Sequence, residues 1–211
     1  MQKELEAIVR DHGAVPATVG VHCGSLHVGL DMKSLEHLAQ VGSKAAKISR
    51  RDLPAALSKG LSGGTTVAAT MVACNRAGIQ VFATGGIGGV HRGGEFTLDI
   101  SPDVMELGRS PVTVVSSGIK SILDIGRTLE VLVPHVTAPT QPPIAWTAPI
   151  AANPWRTRNN RPICFACRIV GHVARAADLT GNAVTPFILQ KLTERTAGAT
   201  LRASILWLGF I

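Results

Sequence analysis

The run ATGGIGGVHRGGEFTLDISPD, residues 83–103, constrains this chain more than any other stretch. Six glycines stand within residues 83–94, directly after the apolar segment IQVFATGG, so a strand must pass into a backbone that side chains leave uncrowded. Such a loop lets main-chain amides close on an anion, and His91 and Arg92 add donors of the kind a phosphate takes. The alternative is a glycine-rich turn that binds nothing. The spacing is neither G-x-G-x-x-G with an acidic residue about 20 positions on nor a run closing in G-K-[ST], which argues against ordinary dinucleotide and NTP sites.

Around this loop the first 130 residues alternate strand and helix signals. Two β-branched runs flank Cys23-Gly24-Ser25 between Val15 and Leu30, a hairpin pattern. Asp31 is placed to cap a helix MKSLEHLAQVG that stops at Gly42, with Leu35, Leu38 and Val41 on one face. A second helix, TTVAATMVACNRAG, follows Gly63-Gly64 and ends at Gly78. Ile79–Thr84 and Val112–Ser116 read as buried strands, the latter leading into a helix IKSILDIGRTLEVL. Strand, glycine turn, helix, strand is the rhythm of an open α/β sheet with helices packed on its faces. With aromatics at 4%, no Tyr and 22 glycines, that core must be built from aliphatic and small side chains.

The pattern changes near residue 133. Seven of the 12 prolines fall between Pro134 and Pro162, and this stretch supports neither helical nor strand periodicity. Regularity returns at Ala183, where VTPFILQKLTERTAG sets Pro186 near a helix start. The chain divides into an α/β core over 1–130, a Pro-rich segment over 131–182 that is expected to be disordered, and a helical segment over 183–211.

Charge follows the same division. Residues 1–130 hold 13 basic and 12 acidic side chains, whereas residues 131–211 hold 8 basic and 2 acidic, so the net +7 belongs mostly to the tail. Few aromatics accompany those arginines, which disfavours a nucleic-acid module. No apolar run reaches the roughly 18 residues of a membrane span. The charged start MQKELEAIVRDHG is expected to be neither a secretory signal nor a transit peptide. A cytoplasmic or other reducing compartment is therefore the default, with mitochondrion and peroxisome left open. Of four cysteines, only Cys164 and Cys167 form a C-x-x-C; without a second pair this is a poor zinc ribbon, and its Asn, Arg and Pro surroundings do not suit a redox turn.

Three further groups could carry chemistry. Lys120 lies just beyond the apolar strand VTVVSSG and at the start of the expected helix, where desolvation and the positive end of a helix dipole would both lower its pKa. A partly neutral lysine attacks carbonyls to form a Schiff base; the alternative is a surface lysine paired with Asp124 at i+4. Asp99 and Asp103 are close enough to serve one divalent cation, although Asp103 alone reads as a cap for the helix VMELG. Lys44, Lys47, Arg50 and Arg51 form either a phosphate site at a strand end or a solvated basic face.

Taken together, GAVPATV, KISRRDLP, GGTTVAATM, VFATGGIGGVHRGGEFTLDIS and SSGIKSILDIGRTLE resemble the pseudouridine-5′-phosphate glycosidase family, also called pseudouridylate synthases, over nearly all of residues 13–130. VTPFILQKLTERTAGATL resembles its C-terminal helical segment. The resemblance implies a mixed sheet in an α/β/α arrangement. It also implies an enzyme, a hydrolase or lyase, that reversibly cleaves the carbon–carbon glycosidic bond of pseudouridine 5′-phosphate to uracil and ribose 5-phosphate. Mn²⁺ or another divalent cation and a homotrimer are implied as well. On this resemblance Lys120 is the Schiff-base lysine and Asp99 the metal ligand, while Lys47, Val67, Ser101, Pro102 and Asp103 bind substrate and His91 contacts phosphate or ribose.

Three departures accompany the match. The family's proton-donating glutamate belongs to a segment before the GAVPAT run, and neither Glu4 nor Glu6 is put in its place. Residues 131–182 leave the family pattern, as an altered splice product or a shifted frame would. The late L-E-A-N motif reads Leu201, Arg202, Ala203 and Ser204. The competing reading is a catalytically silent form that keeps sugar-phosphate binding or subunit assembly.

Overall fold

The computed structural model describes residues 2–136, apart from 117 and 121. The expectations for the Pro-rich stretch beyond residue 136, for Cys164 and Cys167 and for the helical segment 183–211 lie outside the described residues. After an amphipathic helix α1 (Gln2–Asp11) come β1 (Val19–His22), β2 (Ser25–Val28), α2 (Met32–Val41), β3 (Ala46–Ile48), α3 (Leu53–Ser58), β4 (Gly63–Thr65) and α4 (Val67–Arg76). They are followed by β5 (Val81–Thr84), the short helices α5 (Gly94–Thr97) and α6 (Pro102–Leu107), β6 (Thr113–Ser116) and α7 (Ile125–Val136).

Local sequence explains many of these boundaries. Cys23 and Gly24, both at positive φ, turn the hairpin, and Val21 pairs with Leu26 across it. Asp31 accepts the Ser34 amide at the start of α2, and Gly42 closes that helix. Thr66 performs the same capping for α4 by accepting from Ala69. The first four strands form a mixed sheet in the order β2-β1-β4-β3, with only β3 and β4 parallel. Gly63 is required there, because a Cβ would stand 2.1 Å from the Ala46 carbonyl oxygen.

β5 and β6 pair separately as a two-stranded parallel sheet, so the expected open sheet is divided in two. β5 is also less buried than its apolar sequence suggests. It alternates between exposed and half-buried residues, with Val81 61% exposed, so among the described residues one of its faces is left uncovered.

Helix α4 joins the two halves. Its Val67, Met71 and Cys74 enter a core with Ile87, Val104, Val114 and Leu132, while Ala69 enters another with Val21, Ile48, Leu53 and Ala56. A helix packed on both sides must carry small residues where strands come close, and Ala68, Ala69 and Ala73 are all buried. Complete burial of Met71 alone is worth roughly 1.5–3 kcal/mol. Among the described residues no helix is long and apolar enough to cross a membrane.

Candidate active site

The site is assembled where the glycine run leaves β5 and folds back against the segment after β6. Ile87 donates its amide to the Gly118 carbonyl, and Lys120 donates its own to the Ile87 carbonyl. An isolated parallel bridge between Ile87 and Ile119 continues the β5–β6 pairing past both strands. Lys120 is thereby held by a main-chain bond directly after that bridge. The helix expected to begin at this lysine starts only at Ile125, so Lys120 does not stand at that helix's N-terminus. Its pKa is nonetheless lowered: desolvation is the main cause, Asp103 opposes it, and the positive charge of Lys47 adds to the lowering. The alternative pairing with Asp124 is not formed, since Asp124 bonds the Arg127 amide at 3.0 Å and lies 3.3 Å from its guanidinium.

Asp103 is the other centre of the site. It is 4% exposed and sits in the first turn of α6, but it does not cap that helix; Ser101 does, by accepting from the Asp103 amide. The carboxylate reaches outward instead, Oδ1 accepting from Ala68 N and Oδ2 from Gly88 N, each at 2.9 Å. A single side chain thus ties the N-terminus of α4 to the glycine run and places a negative charge near Lys120. Pro102 opens α6 and Val67, 8% exposed, opens α4, so both lie beside the groups that Asp103 holds.

The glycines of the loop divide by what surrounds them. A Cβ on Gly88 would stand 2.1 Å from Ser101 Oγ and 2.7 Å from Asp103 Oδ2, and one on Gly89 would stand 2.5 Å from Thr128 Oγ1. These two serve the protein's own packing. Gly85 has open space on that side. Thr128 is fully buried, accepts the Val90 amide and donates to the Asp124 carbonyl, fixing the far end of the loop against α7.

His91 and Asp99 face each other across the end of the loop. An antiparallel bridge between Val90 and Ile100 sets the register, the His91 amide donates to the Asp99 carbonyl at 3.0 Å, and His91 Nδ1 lies 3.8 Å from Asp99 Oδ2. Arg92 turns away to donate to the Ile122 carbonyl. The predicted residues therefore fall into two groups joined by one loop: Lys47, Val67, Ser101, Pro102, Asp103 and Lys120, and then His91 with Asp99.

The basic cluster is likewise split. Lys47 is exposed on β3, whereas Arg50 donates from Nη1 to both carboxylate oxygens of Glu106, itself 1% exposed, at 2.7 and 2.6 Å. Ser49 was not singled out by the sequence. Its hydroxyl is buried without a hydrogen-bond partner among the described residues, and its place two positions from Lys47 in KISRR is the signal that could have found it.

The sequence and the fold both have known relatives. The family model described as indigoidine synthase A like protein matches residues 1–138. A pseudouridine-5′-phosphate glycosidase of Paracoccus denitrificans is 42% identical over 243 aligned residues, taking in 96% of this chain and 80% of the relative. That alignment is longer than the present chain, so the relative carries residues with no counterpart here. A Sorangium cellulosum protein of the same name is 58% identical over 135 residues, 64% of this chain and 43% of the relative. Among solved structures, the prealnumycin C-glycosynthase AlnA in complex with ribulose 5-phosphate superposes with a TM-score of 0.76 at 34% identity, covering 99% of this chain and 81% of that one.

Proposed function

The chain belongs to the indigoidine synthase A like protein family, and from that premise we propose that it makes and breaks the carbon–carbon bond between uracil and ribose 5-phosphate through a Schiff base on Lys120. One observation carries the reading: a lysine whose ammonium is disfavoured by burial, tied through its main chain to the glycine loop and lying near a carboxylate. Relatives bearing the glycosidase name match over most of the chain, which favours an enzyme over a silent sugar-phosphate binder.

The chemistry calls for such an amine. A base attached through carbon is a poor leaving group, so departure through a cyclic oxocarbenium ion is unfavourable. In the synthetic direction the neutral Lys120 amine adds to the C1 aldehyde of open-chain ribose 5-phosphate and expels water, leaving an iminium. Uracil attacks that carbon through C5 and then loses the C5 proton. Ring closure by the sugar 4-hydroxyl releases the amine, and cleavage retraces these steps.

Asp103 sets the charge balance around Lys120, and the amides it orders fix the loop. Lys47 and the Ser49 hydroxyl, buried without a partner among the described residues, are suited to phosphate oxygens, one as a charge and the other as a donor. For the divalent cation, Asp99 and His91 offer one carboxylate and one imidazole on facing backbone. That donor set fits Mn²⁺, which accepts carboxylate and imidazole together with water. When bound, the ion would supply electrostatic attraction for anionic substrate oxygens. A homotrimer is the proposed assembly, to be checked by sedimentation.

The test is reductive trapping. The chain is incubated with ribose 5-phosphate and Mn²⁺, reduced with borohydride and digested for mass spectrometry. An adduct on the peptide containing Lys120, absent from Lys120→Met, is expected. The proposal fails if Lys120→Met cleaves pseudouridine 5′-phosphate at the wild-type rate.

A further inference from the structure

A second cluster of chemistry-bearing side chains lies on the β1–β2 hairpin, outside the site described above. His22 ends β1, Cys23 follows it in the turn, and His37 comes from the middle of α2. One potential ligand atom from each lies within 4.8 Å of the other two. His22 Nε2 is 2.7 Å from His37 Nδ1 and 3.7 Å from Cys23 Sγ, so one imidazole nitrogen faces both partners.

We propose that His22, Cys23 and His37 bind a single borderline-soft divalent cation of the Zn²⁺ class, with solvent in the fourth position.

Two of the three separations can be set against those of such a cation. Tetrahedral bonds of about 2.0–2.1 Å to nitrogen and about 2.3 Å to sulfur place two nitrogens about 3.3 Å apart and a nitrogen and sulfur about 3.6 Å apart. The nitrogen–sulfur separation already matches. The two imidazoles need to part by about 0.6 Å, a small rotation for side chains that are half-buried or exposed. Thiolate with two imidazoles is also the donor set that selects zinc-class ions, in contrast to the oxygen-bearing Asp99.

The scaffold holds the ligands from both sides. Cys23 takes φ +47, its amide donates to Ser62 Oγ, and the Gly24 amide donates to the Leu61 carbonyl, so the turn is tied to the segment before β4. Gly24 could not carry a side chain there, because a Cβ would lie 2.8 Å from Gly60 Cα. His37 stands on a helix capped at both ends. His27, whose ring centroid is 6.0 Å from that of His22, flanks the cluster from β2. An ion here would clamp the hairpin to α2, with the Cys23 thiol proton released to solvent on coordination.

Cobalt serves as the probe, since Co²⁺ occupies zinc sites and a thiolate ligand gives it a charge-transfer band in the near ultraviolet. The full chain, stripped of metal and kept reduced, is titrated with Co²⁺. One equivalent should produce the band, and Zn²⁺ should abolish it. Cys23→Ser should lose the band and His37→Gln should lose it or require at least about tenfold more Co²⁺, both with unchanged far-ultraviolet circular dichroism. The double variant Cys164→Ser/Cys167→Ser should keep it. A wild-type chain without the band, persistence of the band in Cys23→Ser, or its loss in the double variant would each overturn the site.

Discussion

Replacing Asp103 by Asn should separate two roles that a single carboxylate performs. The wild-type side chain accepts from Ala68 N and Gly88 N, both at 2.9 Å, with almost no solvent access. Asn offers one acceptor and must turn its NH₂ toward the other amide, so one charge-assisted bond is lost and a buried N–H is left facing a donor. Leaving a buried donor unsatisfied costs about 1–3 kcal/mol, and more where the lost acceptor was charged, giving about 2–4 kcal/mol for Asn and more for Ala. A domain with ordinary stability would remain folded with that loss. Urea unfolding measures it.

The second role is electrostatic. Asp103 is the influence that raises the Lys120 pKa, against desolvation and Lys47, which lower it. With the carboxylate gone the ammonium is disfavoured further, and the neutral amine is populated from a lower pH. In borohydride trapping with ribose 5-phosphate, the pH at which adduct formation reaches half its plateau should therefore fall in Asp103→Asn. A cooperatively folded variant whose profile stayed in place or moved to higher pH would refute the assignment.

Two further outcomes follow from the same packing. Gly88→Ala places a methyl 2.1 Å from Ser101 Oγ and should cost about 3 kcal/mol or more, while Gly85→Ala, with open space, should stay within about 0.5 kcal/mol; paired denaturation curves decide. Lys120→Met should be neutral to stabilising by roughly 1 kcal/mol at neutral pH. Between its lowered folded pKa and the ordinary lysine value of 10.5, folded wild type has released the Lys120 proton and the unfolded chain has kept it, so this group makes stability rise with pH in that window. In Lys120→Met that contribution should vanish, as melting curves across the window would register.

Features governed by neighbouring residues were legible in the sequence. Asp31 and Gly42 bound α2 as their cap chemistry requires, and Cys23-Gly24 turns the hairpin. Features governed by distant strands were not. GIKSILDIG carries apolar spacing that suits a helix, yet pairing of Ile119 with Ile87 draws it out as strand, and Gly118 at φ +108 breaks the turn. The lowered pKa of Lys120 was expected from burial and a helix dipole, whereas burial first and the charge of Lys47 second account for its direction. Asp103 read as a cap because Ser-Pro-Asp opens a helix; only the approach of Ala68 and Gly88, 35 and 15 positions away, gives its carboxylate other partners. Ser49 escaped notice because serine is unremarkable until burial leaves its hydroxyl without a partner.

The glycine run also changes meaning in three dimensions. Read as sequence, its six glycines are freedom for a backbone that approaches a ligand. In the fold, Gly88 and Gly89 are spent on the protein itself, one accommodating Ser101 and Asp103 and the other Thr128. Their lack of side chains lets Asp103 reach Gly88 N and Thr128 reach Val90 N, and those two bonds hold the loop between α6 and α7. A loop fixed in this way presents its remaining amides at set positions, so less ordering is needed when an anion arrives. The same constraint places Ile87, whose carbonyl takes the Lys120 amide, and so the loop that is suited to phosphate also sets the backbone of the lysine suited to C1. Loss of either glycine should therefore impair sugar-phosphate binding and Lys120 adduct formation together, whereas a loop that served phosphate alone would leave the lysine's pH profile unmoved.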